Sequence, residues 1–153
     1  MKSSLKKNII IISLVLIVII IICVVGINVN SKVSNITLKE NEEYEKYLKD
    51  RIYGTDVVTL INKAISNNET NNITKDEKGF YISNNENSIT IDIVMITNEE
   101  KEKTTTYKME TIYKVGITEF IKNFNTAEFE CTKKEYHSQT GKIAYIEITQ
   151  RTQ

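Results

Sequence analysis

Residues 9–27 read IIIISLVLIVIIIICVVGI. Of these 19 residues, 16 are Ile, Leu or Val, and none is charged. The charge-free run is wider still, residues 8–31, between Lys7 and Lys32. A helix rises about 1.5 Å per residue, so the stretch spans roughly 28 Å, close to the ~30 Å hydrocarbon core of a bilayer. At roughly −0.3 to −0.6 kcal/mol per aliphatic residue, insertion is favoured by about 5 to 10 kcal/mol as an upper bound. A buried helix of a soluble core would show a polar face over this length. Here only Ser13, Cys23 and Gly26 depart from Ile, Leu and Val. The stretch predicts a transmembrane helix over 9–27, embedded in the lipid bilayer, with everything after it displayed on one side.

The flanks give the orientation. Lys2, Lys6, Lys7 and the amino terminus precede the run, whereas only Lys32 and Lys39 follow closely, among Glu40, Glu42 and Glu43. The positive-inside rule puts residues 1–8 in the cytoplasm and the carboxy terminus outside the cell membrane. The apolar run exceeds the roughly 7–15 residues of a signal-peptide core, and no A-x-A site follows it. An uncleaved, single-pass signal-anchor is expected. Residues 28–37 are polar and without periodicity, and read as a juxtamembrane tether. Residues 38–153 read as one extracytoplasmic domain.

Without the anchor about 120 residues remain, enough for one small domain with its own core. All 20 acidic residues and 17 of the 20 basic ones lie from position 32 onward, so the displayed part carries about three net negative charges. Nucleic-acid binding usually needs a basic patch, and no nucleic-acid partner is expected. Ile, Lys, Asn, Glu and Thr dominate while Pro and Trp are absent, a bias that an AT-rich bacterial coding sequence would produce. Three Asn-x-Thr triplets, at Asn35, Asn68 and Asn72, are expected by chance in so Asn-rich a chain. Cys23 lies in the apolar run and Cys131 far outside it, so the two cannot pair within one chain.

Beyond the anchor, Thr37-Leu38-Lys39-Glu40 fits a capping box and predicts a helix start. Tyr44, Tyr47, Leu48 and Ile52 follow at helical spacing. Gly54 is expected to end that helix, and Thr55-Asp56 to cap a second one carrying Val57, Val58, Leu60, Ile61, Ala64 and Ile65. A single helix kinked at Gly54 is the alternative. Residues 66–79 read as an Asn-rich loop ending in the turn Asp76-Glu77-Lys78-Gly79, and they lack the calcium-loop pattern.

From Phe80 the period becomes two. Phe80-Tyr81-Ile82 predicts a short strand and Asn84-Asn85-Glu86-Asn87 a turn. Ile89, Ile91, Ile93 and Met95 alternate with Thr90, Asp92, Val94 and Ile96 in a half-buried strand. Residues 98–103 read as a charged turn, and 104–115 as a longer strand with Tyr107, Met109, Thr111 and Tyr113 on one side. Ile117, Phe120, Ile121 and Phe124 predict a short helix. Residues 127–136 and 142–149 predict a closing hairpin about the turn Ser138-Gln139-Thr140-Gly141, with Phe129 and Cys131 facing the core. Short connections favour antiparallel pairing. The expected fold class is α+β: the N-terminal transmembrane helix, then one or two amphipathic helices packed on an antiparallel sheet of about five strands.

The chemistry-bearing candidates are few. Cys131 and His137 are the only thiol and imidazole outside the apolar run. Six residues along one strand hold them about 20 Å apart, whereas a nucleophile and its base need about 3 Å. Cys131 is expected to be a small core hydrophobe, and His137, the sole histidine, an exposed turn residue. Glu128, Glu130 and Glu135 read as solvated faces. No Ser-His-Asp order, Gly-rich phosphate loop or HExxH appears. The sequence therefore nominates no catalytic, cofactor-binding or metal-ligating residue and no enzyme. Tyr44, Tyr47, Tyr53, Tyr107 and Tyr113 are expected in the helix–sheet core, with an aromatic contact surface as the alternative.

Two stretches carry a resemblance. Tyr53-Gly54-Thr55-Asp56-Val57-Val58-Thr59-Leu60-Ile61 is one; Phe129-Glu130-Cys131 with Tyr136-His137-Ser138-Gln139-Thr140-Gly141-Lys142-Ile143 is the other. They resemble small, uncharacterised single-pass membrane proteins of Gram-positive bacteria, a resemblance that implies an anchored domain and no known activity. The order of an apolar N-terminal helix and an antiparallel sheet also resembles type IV pilins. The chain departs from their pattern, since Lys7-Asn8-Ile9 lacks the processing Gly and the apolar run holds no Glu. The expected role is a non-enzymatic domain that contacts another envelope protein, with a pilin-like structural component of a cell-envelope assembly as the alternative.

Overall fold

The structure is a computed structural model that describes residues 2–98 and 103–152, the side chains of residues 2–13, 26–32 and 98 excepted. The chain divides after Leu38 into two units. The first lies within helix α1, Lys2–Glu45. Between Leu14 and Val25 its large aliphatic side chains are all about half exposed, from 49% at Val18 to 65% at Ile22. Among the described residues no helix is long and apolar enough to cross a membrane. The two ends of the apolar run, 9–13 and 26–27, lie outside the residues whose side chains are described.

Two local expectations about α1 need correction. Residues 28–37 are helical rather than a tether, and Thr37 lies inside α1 rather than capping a helix start. Polar residues lower helix propensity by only tenths of a kcal/mol each, and residues 28–37 hold neither Gly nor Pro to interrupt a helix already propagating.

The second unit, from Lys39, is an α+β domain built on a five-stranded sheet of order β1-β4-β5-β2-β3. Its elements after α1 are β1 (Ile52–Tyr53), α2 (Gly54–Thr70), β2 (Thr90–Asn98), β3 (Lys103–Lys108), α3 (Met109–Val115), α4 (Ile117–Phe124), β4 (Glu128–Tyr136) and β5 (Ile143–Gln150). The β2–β3 and β4–β5 hairpins are antiparallel, and so is β1 with β4. The sheet is nevertheless mixed, because β2 and β5 lie parallel, with Ile91 opposite Ile146 and Ile93 opposite Ile148. Short turns dictate antiparallel pairing within each hairpin. They say nothing about how two hairpins meet, and here the whole segment from β3 to β4 serves as the crossover.

Alternate positions of the central strands fill the core. Ile91, Ile93, Ile146, Ile148 and Phe129 are fully buried, in one cluster with Val57, Leu60, Ile61 and Ala64 of α2. The opposite face carries Asp92, Tyr145, Glu147, Thr149 and Thr132, joined by side-chain hydrogen bonds. The predicted alternation of β2 and the apolar side of α2 both hold.

Boundaries move wherever two periodicities compete. The helix expected to reach Ile52 stops at Glu45, and Ile52 pairs with Phe129 in β1, fully buried. The strand β1 also excludes the single kinked helix. Gly54 opens α2 rather than closing the preceding helix, and the Asp56 carboxylate accepts the Tyr53 amide at 3.2 Å. The loop expected from Ser66 begins only after Thr70. Phe80-Tyr81-Ile82 makes an isolated bridge, Lys75 with Tyr81, rather than a strand. The Asp76 turn forms, its carboxylate accepting the amides of Lys78 and Phe80 at 2.9 Å. The strand expected over 104–115 ends at Lys108, and α3 follows because Met109 and Ile112, three apart, are both buried on one helix face. Gly116, at φ +120°, turns α3 into α4 in a conformation that side-chain-bearing residues rarely adopt. Most of the charged turn over 98–103 lies outside the described residues.

Candidate functional site

Cys131 sits on the core side of β4, half-buried, with Sγ 3.5 Å from the Lys133 carbonyl oxygen. Burial pushes its thiol above the ordinary value, outweighing the opposing pull of Lys134 and of that hydrogen bond. His137 corrects the expectation of an exposed turn residue, for it is only 6% exposed. Its Nε2 lies 2.7 Å from the Ser88 carbonyl oxygen. A carbonyl only accepts, so Nε2 carries the proton. The His137 main chain closes the hairpin, its amide donating to the Lys142 oxygen and its carbonyl accepting from the Gly141 amide, both at 2.8 Å. The histidine is buried because Ser88, arriving from the Asn84 turn, presents a carbonyl that needs a donor. Cys131 lies within β4 and His137 just past its end, about 20 Å apart along the strand, and the structure does not bring them together.

The three carboxylates read as solvated are engaged in surface ion pairs: Glu128 with Arg51 at 3.4 Å, Glu130 with Arg151 at 2.9 Å and Glu135 with Lys133 at 2.7 Å. The tyrosines divide. Tyr44 is in the core and Tyr47 and Tyr107 pack against it, whereas Tyr53 and Tyr113 are exposed. Among the described residues no group of three or more His, Cys, Asp or Glu could hold a metal ion.

Sequence reasoning missed the asparagines, which it assigned to composition. Asn68 is fully buried and pairs with the main chain of Ile89. Asn41 does the same to the β5 entry, donating to the Gly141 oxygen and accepting the Ile143 amide, both at 2.9 Å. Asn84 Oδ1 accepts the amides of Glu86, Asn87 and Ser88. The usable signal was position: Asn68 continues the inward stripe of α2 after Ile61, Ala64 and Ile65.

Among the described residues, three depressions on the domain surface bear on function. One, of about 450 Å³, lies where the end of α1, α2 and the β5 entry meet. Its charges are satisfied among themselves, with Lys142 paired to Glu40 at 2.6 Å and Lys63 to Glu43 at 2.8 Å. The other two flank α3 and share Thr111 and Val115. On one side a depression of about 230 Å³ is lined by Met95 and Tyr107 of the sheet and by Ile112, Phe120 and Phe124. Tyr107 belongs to β3, one of the two edge strands. On the other side a groove of about 510 Å³ is lined by Lys75, Lys78 and Lys114 with Phe80 and Tyr113.

The charge of that groove is unbalanced. Its one carboxylate, Glu110, accepts the Tyr81 amide at 2.9 Å. Among the described residues Lys75, Lys78 and Lys114 form no ion pair, nor do Lys39, Lys49 and Lys122 elsewhere, while Lys46, Lys63, Lys108, Lys133, Lys134 and Lys142 all do. Lys75 Nζ lies over the Tyr81 ring, 4.4 Å from its centroid. Beside the lysines Tyr113 is 46% and Val115 73% exposed. Comparisons with protein-family models, curated proteins and solved structures find no match to this chain.

Proposed function

We propose that this protein is a single-pass membrane-anchored domain, displayed outside the cytoplasm, that binds another envelope protein rather than transforming a substrate. The observation that carries the anchor is the state of residues 14–25, where every large aliphatic side chain is about half exposed around the whole helix. A helix apolar on all sides is stable in lipid. Lys2, Lys6 and Lys7 hold the amino terminus on the cytoplasmic side. Binding is supported by the α3 groove, with its unpaired lysines and exposed Tyr113 and Val115.

The test is fractionation with crosslinking in cells. The protein resists alkaline extraction from membranes, is cut by external protease beyond residue 38, and crosslinks to a neighbour. Release by alkaline washing would sink the anchor, and turnover of a substrate by the purified full chain would sink the binding role.

A pilin-like structural component is the second reading, favoured by one observation: the helix that holds the apolar run, α1, is long, Lys2–Glu45. It predicts a processed amino terminus between Lys7 and Ile11 and recovery in sheared surface filaments. An intact Met1 confined to the membrane fraction counts against it.

A further inference from the structure

We infer that the groove beside α3 docks an acidic segment of the partner protein, its carboxylates on Lys75, Lys78 and Lys114 and a neighbouring apolar side chain in the depression lined by Tyr107 and Phe120. The inference deepens the binding role proposed above and rests on it.

The argument is one of charge complementarity. The displayed part of the chain carries more acidic than basic residues, 20 against 17, whereas the groove lining sets three lysines against the single carboxylate of Glu110, Asp76 and Glu77 of the intervening turn lying outside that lining and Asp76 accepting main-chain amides. The groove's own carboxylate is already occupied by a main-chain amide. An approaching carboxylate therefore meets three ammonium groups that give up no ion pair, Lys75 already lying over the Tyr81 ring. This is the arrangement that steers an acidic partner and rejects a basic one. By contrast, the lysines of the depression near α1 would have to abandon Glu40 and Glu43.

Shape then selects a chain segment over a bilayer. The basic groove and the apolar depression lie on two sides of the last turn of α3 and meet at Thr111 and Val115. A flat headgroup surface reaches the rim of one or the other. A peptide crossing Val115 fills both, placing an apolar residue a few positions from its carboxylates. The apolar side is the size of one side chain rather than a small-molecule site, since ligand pockets start near about 300 Å³.

The experiment is a lysine-reactivity footprint on the full chain in phosphatidylcholine nanodiscs. Each lysine is acetylated in the presence of a library of ten-residue peptides with Asp or Glu at four positions and Leu, Ile or Phe at two. A second library replaces the acids by Lys. The acidic library slows acetylation of Lys75, Lys78 and Lys114 about fivefold at saturation and leaves Lys39 and Lys49 unchanged. Protection fades as salt rises. Equal protection by both libraries, or none, overturns the inference. So does protection by phosphatidylglycerol nanodiscs without peptide, which would make the membrane the occupant. In-cell crosslinking of a Lys78→Glu/Lys114→Glu variant separates the two readings. Undiminished capture of the partner overturns the groove and leaves the binding role intact. No capture by the unaltered chain overturns the binding role itself.

Discussion

The carboxamide of Asn68 pairs with both main-chain polar atoms of Ile89: Nδ2 donates to the Ile89 oxygen at 2.7 Å, and Oδ1 accepts the Ile89 amide at 2.8 Å. A side chain of α2 thus takes the place of a neighbouring strand just before β2 begins. Asn41 repeats the arrangement at β5, the strand parallel to β2. Main-chain polar groups without a neighbouring strand must find other partners, and at these two strand entries the partners are asparagines.

Replacing Asn68 by Ala strands a buried donor and a buried acceptor together, and should cost about 2–4 kcal/mol in urea denaturation. Asn68→Asp is the sharper probe. Ionised, it still accepts from the Ile89 amide but turns a second oxygen toward the Ile89 carbonyl. Protonated, it regains a donor. Burial raises the folded-state pKa of such a carboxyl, so the variant's deficit relative to the unaltered chain narrows as pH falls through that value. A deficit independent of pH would mean that the carboxamide only fills space.

These asparagines also mark where the sequence stops being legible. Ile89, Ile91, Ile93 and Met95 alternate cleanly, and Val57 to Ile65 keep helical spacing over two turns, so β2 and α2 could be read directly. Ile52 could not, because its four-residue distance from Leu48 suits a helix, and only its partner Phe129, far along the chain, makes it a strand. The same holds for Met109: it is two residues from Tyr107 and three from Ile112, and the choice between strand and helix is made by the core that buries it. Parallel pairing of β2 with β5 and the lysines meeting at α3 are products of tertiary contact, with no local signature.

Gly54 offers a test of one such misreading. A Cβ built there would lie 1.9 Å from the Phe124 carbonyl oxygen, where the start of α2 meets the end of α4. Gly54→Ala should destabilise by roughly 2–4 kcal/mol, as overpacking against main chain does. A left-handed helix cap would tolerate Asn almost as well as Gly. Here Gly54→Asn should be at least as damaging as Gly54→Ala, and near-native stability of the Asn variant in thermal denaturation would refute the close approach.

Cys131 bears on the non-enzymatic reading. Only the thiolate attacks electrophiles, and a raised thiol pKa leaves little of it at neutral pH. Iodoacetamide at about pH 8 should modify Cys131 at least about tenfold more slowly in the folded chain than in urea, followed by peptide mapping. Modification faster than in the unfolded chain would reveal an activated thiol and reopen the question of chemistry at this strand.

The last prediction concerns the contact of α1 with α2. Glu43 Oε2 accepts from Lys46 at 2.7 Å and from Lys63 at 2.8 Å, so one carboxylate joins the two helices. The hydrogen bonds from Lys46 and Lys63, reinforced by their charges, hold its pKa down at about 2 against an ordinary 4.5. A depressed carboxyl contributes stability above its unfolded value and loses it as pH falls through the folded one. Glu43→Gln should therefore lower the thermal midpoint at neutral pH, with the difference closing between about pH 4.5 and about 2. The side chain is exposed, so the effect is modest and about 1 M salt should shrink it further. A midpoint difference that persists unchanged at low pH would show that the glutamate acts through packing rather than charge.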